Sequence, residues 1–246
     1  MKRSEHDPAA YGERMAEVYD GWFAVPDDAE DAASFLSELA GEGPALELGI
    51  GTGRVALPLA KQGVEVRGID ASEAMVTKLR QKPGGKSIPV SIGDFANVDV
   101  VSTFSLIYIV YNTFFALPTQ EEQLRCFTNV ARRLGEDGVF VVEAFMPDIT
   151  LYDRGQRIGV SDLRSDRVVL EAALHDPVNQ LVVSNQLILS GDGVKVYPVR
   201  LRYTWPSELD LMARLVGLRL RERCGGWQRE PFTAESRRHV SVYDYG

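Results

Sequence analysis

Long apolar runs are missing from this chain: nowhere do about 18 consecutive apolar residues occur, the length a helix needs to cross a bilayer. The opening M-K-R-S-E-H-D-P has no apolar core behind its basic residues. No secretory leader and no membrane association are therefore expected, and the protein is expected to be cytoplasmic. Cysteine is scarce. Cys126 and Cys224 stand far apart and outside any ligand cluster, which argues against a disulfide framework and fits a reducing compartment. The three histidines, His6, His175 and His239, are scattered, so no metal site is expected. Positive charge is also short: 27 basic residues face 35 acidic ones, giving net −8, which argues against nucleic acid as a partner. There is no internal repeat and no disordered linker. A chain of 246 residues, 45% hydrophobic and 25% charged, suits one domain with an elaboration.

The stretch Ala45 to Arg54, A-L-E-L-G-I-G-T-G-R, organises the rest. A short apolar run ends in Gly49, Gly51 and Gly53, and a helix-forming run, Val55 to Lys61, follows at once. That pattern predicts a strand, a tight turn and a helix start. Glycine reaches positive φ without penalty and lets a ligand lie on the backbone, while the helix start offers free amides. A nucleotide-like ligand is the first expectation. Gly51 to Ala56 also fits the G-x-G-x-x-A form of the dinucleotide fingerprint, so an NAD-dependent oxidoreductase is the rival. Glu47 tips the balance, because a carboxylate there repels a pyrophosphate yet accepts bonds from an ammonium group. S-adenosylmethionine carries an ammonium, a carboxylate and a sulfonium, and no phosphate.

Upstream, Tyr11 to Phe23 has the spacing of one amphipathic helix, and a second is predicted over Asp28 to Leu39 behind Pro26. Their aromatics either fill the core or form a lid, with Tyr11 and Tyr19 as pocket candidates. The second strand, Val64 to Ile69, delivers Asp70 roughly 20 residues after the glycine turn, the distance at which a carboxylate takes both ribose hydroxyls. A helix capped by Ser72 follows. Ser87 to Ile92 is a third strand, and Gly93-Asp94-Phe95 lies at its end. Thr103 to Val110 is the buried central strand, ending in Tyr111-Asn112-Thr113-Phe114-Phe115 at the edge where open α/β folds bind ligands. Pro118 to Leu134 is predicted helical and Gly138 to Phe145 extended, with Glu143 either hydrogen-bonded structurally or facing substrate.

Residues 146 to 165 read as loop. Three alternating segments follow, about 167–175, 181–190 and 194–205, with Gly191-Asp192-Gly193 as a hairpin signal. This meander is expected to arch over the pocket or to make a subunit contact. Pro206 to Val216 predicts a helix, and Leu218 to Cys224 and Val240 to Tyr243 a closing β-hairpin.

The string E-x-G-x-G-x-G, with acids at the ends of three successive strands, resembles the class I S-adenosylmethionine-dependent methyltransferases. More narrowly, N-T-F-F at Asn112 to Phe115, the T-W-P-S-E-L-D-L-M-A-R-L-V-G-L helix and E-P-F-T-A-E-S-R at Glu230 to Arg237 are similar to the group holding the linaridin peptide α-N-methyltransferases. V-Y-D near Tyr19 and the meander are more loosely similar to amino-sugar N,N-dimethyltransferases, although Ala116 stands where those carry Tyr or His. The resemblance implies a Rossmann-like seven-stranded α/β sheet with its last strand antiparallel. Residues 1–42 would be helices and lid, 43–148 and 205–246 the core, and 149–204 the meander. It implies a cofactor set of Tyr11, Glu47, Gly49, Gly51, Gly53, Arg54, Asp70, Ala71, Met75, Asp94 and Phe95, with Asp94 on the adenine amine.

Methyl transfer from a sulfonium is an in-line displacement, so the protein mainly aligns its reactants. Tyr111, Asn112 and Tyr19 are the candidates for placing the acceptor, and His175 is a structural residue or a base. The expected reaction is methylation of a small molecule or peptide N-terminus, at nitrogen, in natural-product biosynthesis. O-methylation, or a catalytically silent S-adenosylmethionine-binding protein, is the alternative. A homodimer is possible.

Overall fold

The computed structural model describes residues 7–22 and 28–246, apart from the side chain of Trp22. Phe23 and Pro26, parts of the expected helical start, lie outside them. The element order begins with helices α1 (Ala10–Met15), α2 (Tyr19–Trp22) and α3 (Ala29–Ala40). Alternating units follow: β1 (Ala45–Leu48), α4 (Ala56–Lys61), β2 (Val66–Asp70), α5 (Glu73–Gln81), β3 (Val90–Ile92), β4 (Phe104–Ile109), α6 (Gln120–Ala131) and β5 (Leu134–Phe145). Next come β6 (Gln156–Leu163), β7 (Arg167–Asp176), β8 (Leu181–Ser190) and β9 (Gly193–Arg202), and last α7 (Pro206–Leu215), β10 (Arg219–Cys224) and β11 (Arg238–Asp244).

The main sheet has seven strands in the order β10-β11-β5-β4-β1-β2-β3. Strands β1 to β5 are parallel, and β11 runs antiparallel to both β5 and β10. Such a sheet needs cover on both faces, and the strands read accordingly: all of β1 is buried, and β4 is buried except at Ser105. Under α6, Phe127 meets Phe114, Phe140 and Tyr243 edge-on at centroid distances of 5.6, 5.1 and 5.8 Å. Each such pair adds about 0.5–1.5 kcal/mol beyond the area it buries. The Ser72 cap is the expected one, and Thr119 supplies a second. Ser72 accepts from the Met75 amide at 3.2 Å, and Thr119 from the Glu122 amide at 3.1 Å, which starts α6 two residues later than Pro118.

Two expectations need correction. The segment 11–23 is not one helix. It breaks after Met15 into α1 and α2, because Met15 and Ala16 pack against Met75 while Asp20 has to reach Thr52 on the glycine turn. The segment 146–165 is not all loop either: it contains a 3₁₀ turn at Ile149–Leu151 and the strand β6, so the meander has four strands, not three. Arg157, Gly159 and a bulge between Val160 and Asp162 dilute the alternation of β6 at the level of sequence. Arg202 anchors the meander. Its buried guanidinium donates to Glu208 at 2.7 Å and to Gln180 at 3.2 Å, and also to Gln123, tying β9 to α6 and α7. Among the described residues, no helix is long and apolar enough to cross a membrane.

Candidate cofactor and acceptor site

The carboxyl edge of the main sheet gathers most of the residues that the sequence singled out, His175 excepted. Gly49, Gly51 and Gly53 follow β1 with φ of 74°, 55° and 79°. At Gly51 positive φ coincides with open space, since a Cβ there would meet nothing nearer than the Gly49 carbonyl oxygen at 4.0 Å. A side chain would both strain the turn and fill the space a ligand uses. Asp70, at the end of β2, turns back onto this loop: its Oδ2 accepts from the Gly51 amide at 2.7 Å and its Oδ1 from the Ser72 amide at 2.8 Å. Burial outweighs these bonds and holds its carboxyl above the usual range. A carboxylate has about four acceptor sites, and with the Ala71 amide also bonding to this carboxyl one remains for a hydroxyl.

Glu47 lies beneath the turn. Burial pushes its carboxyl up to about 8, against the opposing bond from the Tyr108 hydroxyl, which donates to Oε2 at 3.0 Å. Asp94 accepts from the Ala96 amide at 2.9 Å and pairs with Arg125 at 3.3 Å, and the buried Phe95 ring lies within 3.8 Å of where a Cβ on Gly49 would stand. Ala71 continues from Asp70 as a half-buried linker, and Met75 is buried under α1 with Met15 and Ala16.

Both N-terminal helices are docked here. Glu13 accepts from the Ser72 hydroxyl at 2.8 Å and the Ala74 amide at 3.1 Å, placing an acid at the start of α5 where the helix dipole favours it. Gly12 permits the approach, because a Cβ there would stand 2.4 Å from that of Ser72. Asp20 accepts from the Thr52 hydroxyl at 2.6 Å and pairs with Lys82 at 2.8 Å, and Lys82 also donates to the Thr52 carbonyl at 2.9 Å. Tyr19 sits within electrostatic reach of Arg54, Glu47 and Asp70, and burial pushes its phenol up to about 12. Tyr11, on α1, is 38% exposed and near Tyr19. Neither Glu13 nor Asp20 carries any local signal; each meets its partners across a long sequence separation. Asp20→Ala is expected to weaken S-adenosylhomocysteine binding about 2–5-fold, the scale of a partly exposed ion pair, with a faster off-rate in stopped-flow; an unchanged off-rate would detach α2 from ligand exchange.

At the end of β4, Tyr111 and Asn112 form a turn with φ of 53° and 64°, a strained pair for residues other than glycine. Glu143 holds it, accepting from the Tyr111 amide at 2.6 Å and from that of Asn112. Of the two expectations for Glu143, its bonds here are the structural one. Burial pushes its carboxyl up to about 7, against the pull of these amides and of Arg238. Asn112 Oδ1 accepts from the Phe145 amide at 2.6 Å. The Tyr111 hydroxyl donates to Asp28 at 2.8 Å, Arg238 pairs with the same carboxylate, and Arg54 lies over the Tyr111 ring, 4.1 Å from its centroid. His175 stands apart on β7, with Nε2 3.0 Å from the Tyr203 hydroxyl and its ring 4.5 Å from that of Tyr152.

A glycine cradle with open space, a buried acid below it and a second acid beside it fit S-adenosylmethionine: Asp70 would take a ribose hydroxyl, Glu47 the ammonium and the Gly51 region the backbone-facing edge. Comparison with known proteins agrees. Residues 45–138 match the model of a methyltransferase domain. The cypemycin N-terminal methyltransferase of a Streptomyces species is 30% identical, over 97% of this chain and 98% of its own. The CcbJ methyltransferase of Streptomyces caelestis superposes with a TM-score of 0.92 at 42% identity, covering 97% of this chain and 98% of that one. The S-adenosylmethionine-bound amino pentose methyltransferase CalS10 of Micromonospora echinaspora shares the fold, with a TM-score of 0.69 at 20% identity over 89% and 91% of the two chains. Cradle, paired acids and full-length likeness converge, and the chain belongs to the class I S-adenosylmethionine-dependent methyltransferases.

Proposed function

We propose that this methyltransferase acts at nitrogen, on the amine of a small molecule or of a peptide N-terminus, in natural-product biosynthesis. The observation that carries this reading is the inner face of the meander. There Glu171, its side chain 23% exposed, accepts from Gln186 Nε2 at 3.3 Å and forms an ion pair with Arg157 at 3.4 Å, which an acceptor amine would share or displace. Register sets Glu171 opposite Gln186 and Gln186 opposite Tyr197, whose ring packs with Met15, Met75 and Tyr19 at the lid. Glu171 also lies within electrostatic reach of Tyr152, and a carboxylate beside an aromatic ring suits a cationic amine. The full-length relative named for N-terminal methylation supports the same acceptor atom. In this reading α1 and α2 are the lid, residues 149–204 the roof, and the Tyr111–Asn112 turn the opposite wall.

The cofactor, when bound, supplies an activated methyl on a sulfonium. The chain's own task is alignment. An acceptor ammonium is held near Glu171, gives up one proton to water, and presents its lone pair in line. Asp70 and Glu47 fix the other partner. The test is a panel of primary and secondary amines and short peptides, each paired with its N-acylated or hydroxyl analogue, read by mass spectrometry for added methyl groups. Methylation of free amines alone is expected; transfer to the hydroxyl analogues alone would overturn the reading. With an amine acceptor found, Glu171→Gln is expected to raise its KM about 10-fold, the worth of one charge-assisted contact. The kcat and S-adenosylhomocysteine affinity should hold, and a fall in kcat alone would move Glu171 into the chemical step.

A further inference from the structure

Gly21 stands where a helix has no use for it. It lies in α2, its φ is outside the left-handed region, and a Cβ there would meet no described atom within 4 Å. Neither a special backbone conformation nor a close approach calls for glycine, which weakens a helix relative to alanine. What Gly21 leaves open is space. It lines a cavity of about 340 Å³ between the lid and the tip of the meander, near the lower end of the range for ligand pockets. Arg167, Ser190 and Lys195, on the inner face of the meander, form the opposite wall, and Asp166 and Asp192, just before β7 and β9, complete it. Register ties this wall to the acceptor carboxylate. Glu171, Gln186 and Tyr197 form one row of the inner face, Val169, Ile188 and Lys195 the next, and Arg167 and Ser190 the one after. From Glu171 to Arg167 the chain of β7 covers roughly 14 Å, at about 3.4 Å per residue.

We infer that this cavity is a second acceptor subsite, which holds the neutral, hydrogen-bonding chain that follows the methylated amine, in the space that Gly21 leaves. The inference rests on the reading of Glu171 as the partner of that amine. The chemistry of the lining selects the occupant. Arg167 and Lys195 supply donors, Asp166 and Asp192 supply acceptors, and Ser190 supplies both. Arg167 also pairs with Asp162 at 2.9 Å, which offsets its charge further. A strongly charged ligand of either sign is repelled by part of this wall, and an apolar one leaves all of it unpaired. A chain with alternating donors and acceptors and no net charge satisfies both kinds of group. The amides of a peptide have this chemistry, and so do the hydroxyls of a glycan. The distance sets the length: roughly 14 Å is about four residues of extended peptide. An amine without such an extension leaves the cavity to water.

The test is titration of the S-adenosylhomocysteine-loaded protein with alanine peptides of one to five residues, each with a free N-terminus and a C-terminal amide. Amino-terminated glycans of matching length form the second series. Affinity is expected to rise about 10-fold between one and four units and then level, as a few neutral hydrogen bonds accumulate. A gain confined to the peptides assigns the cavity to amides, and one confined to the glycans assigns it to hydroxyls. Gly21→Trp, which fills the cavity from the lid, is expected to abolish most of that gain. Ser190→Trp fills it from the opposite wall and should do the same without altering α2, with thermal melts to establish folding. Affinity independent of length, binding of neither series, or a length gain that both tryptophan variants leave intact overturns the inference. Acetylating the peptide N-terminus separates it from the reading on which it rests. Acetylated peptides that bind with undiminished affinity and the same length gain would end the case for an amine at Glu171 and leave the subsite standing.

Discussion

Replacing Asp70 with alanine is expected to raise the dissociation constant for S-adenosylhomocysteine about 10–150-fold, or ~1.5–3 kcal/mol for lost bonds to a charged group. Two losses combine. The proposed ribose contact loses its acceptor, and Gly51 loses the carboxylate oxygen that its amide meets at 2.7 Å. The second loss lets the cradle itself relax. Asp70→Asn separates them: the amide keeps one oxygen acceptor for the backbone but presents an NH₂ where the second oxygen stood, so affinity should fall less than with alanine. Isothermal titration, with thermal melts to establish folding, is the measurement. A folded alanine variant with unchanged affinity removes Asp70 from the pocket.

Asp70 also shows what a sequence makes legible. Its place depends on one helix and one strand of predictable length, so counting from Gly51 finds it; Glu47 and the three glycines are legible for the same reason. Ser72 and Thr119 are readable as caps because their partners lie three residues away. The parallel order of β1 to β5, with β11 reversed, follows from the alternating pattern and the resemblance it supports. The bonds from Thr52 to Asp20, Tyr111 to Asp28 and Ser72 to Glu13 had no such signal, since each partner is brought in by tertiary packing. The break between α1 and α2 has the same origin: the period of Tyr11 to Trp22 is helical throughout, but docking at two places, the start of α5 and the glycine turn, bends it. Strand β6 was hidden for another reason. Its apolar residues face outward, so its pattern resembles a solvated loop until the register pairs it with β7.

The distribution of buried acid makes the second large effect one of pH. Glu47 and Glu143, pushed up to about 8 and 7 by burial, hold protons in the native state that the unfolded chain releases near 4.5. The stability they contribute is fully present below the unfolded value and is lost as pH rises through 7 and then 8. His239 acts elsewhere: burial pushes it down to about 3, so its contribution is present above its unfolded value of about 6.5 and changes only as pH falls below that. Between pH 7 and 9, therefore, the two acids dominate among these three groups, and the ligand-free protein should lose on the order of 2 kcal/mol, lowering Tm by about 4–8 °C. Glu143→Gln keeps an oxygen for the Tyr111 and Asn112 amides, and Glu47→Gln keeps one for Tyr108, so the double variant should melt at nearly the same temperature across that range. A wild-type slope that survives in the double variant would assign the effect to other groups. Ligand adds a discriminating arm. An ammonium beside Glu47 favours its ionised form, so binding S-adenosylhomocysteine at pH 7 should release a proton, seen as a buffer-dependent heat in titration calorimetry. The release should vanish in Glu47→Gln and persist in Glu143→Gln. Proton release equal in all three proteins would place the ammonium away from Glu47, and with it would go the argument that this acid selects a cofactor without phosphate.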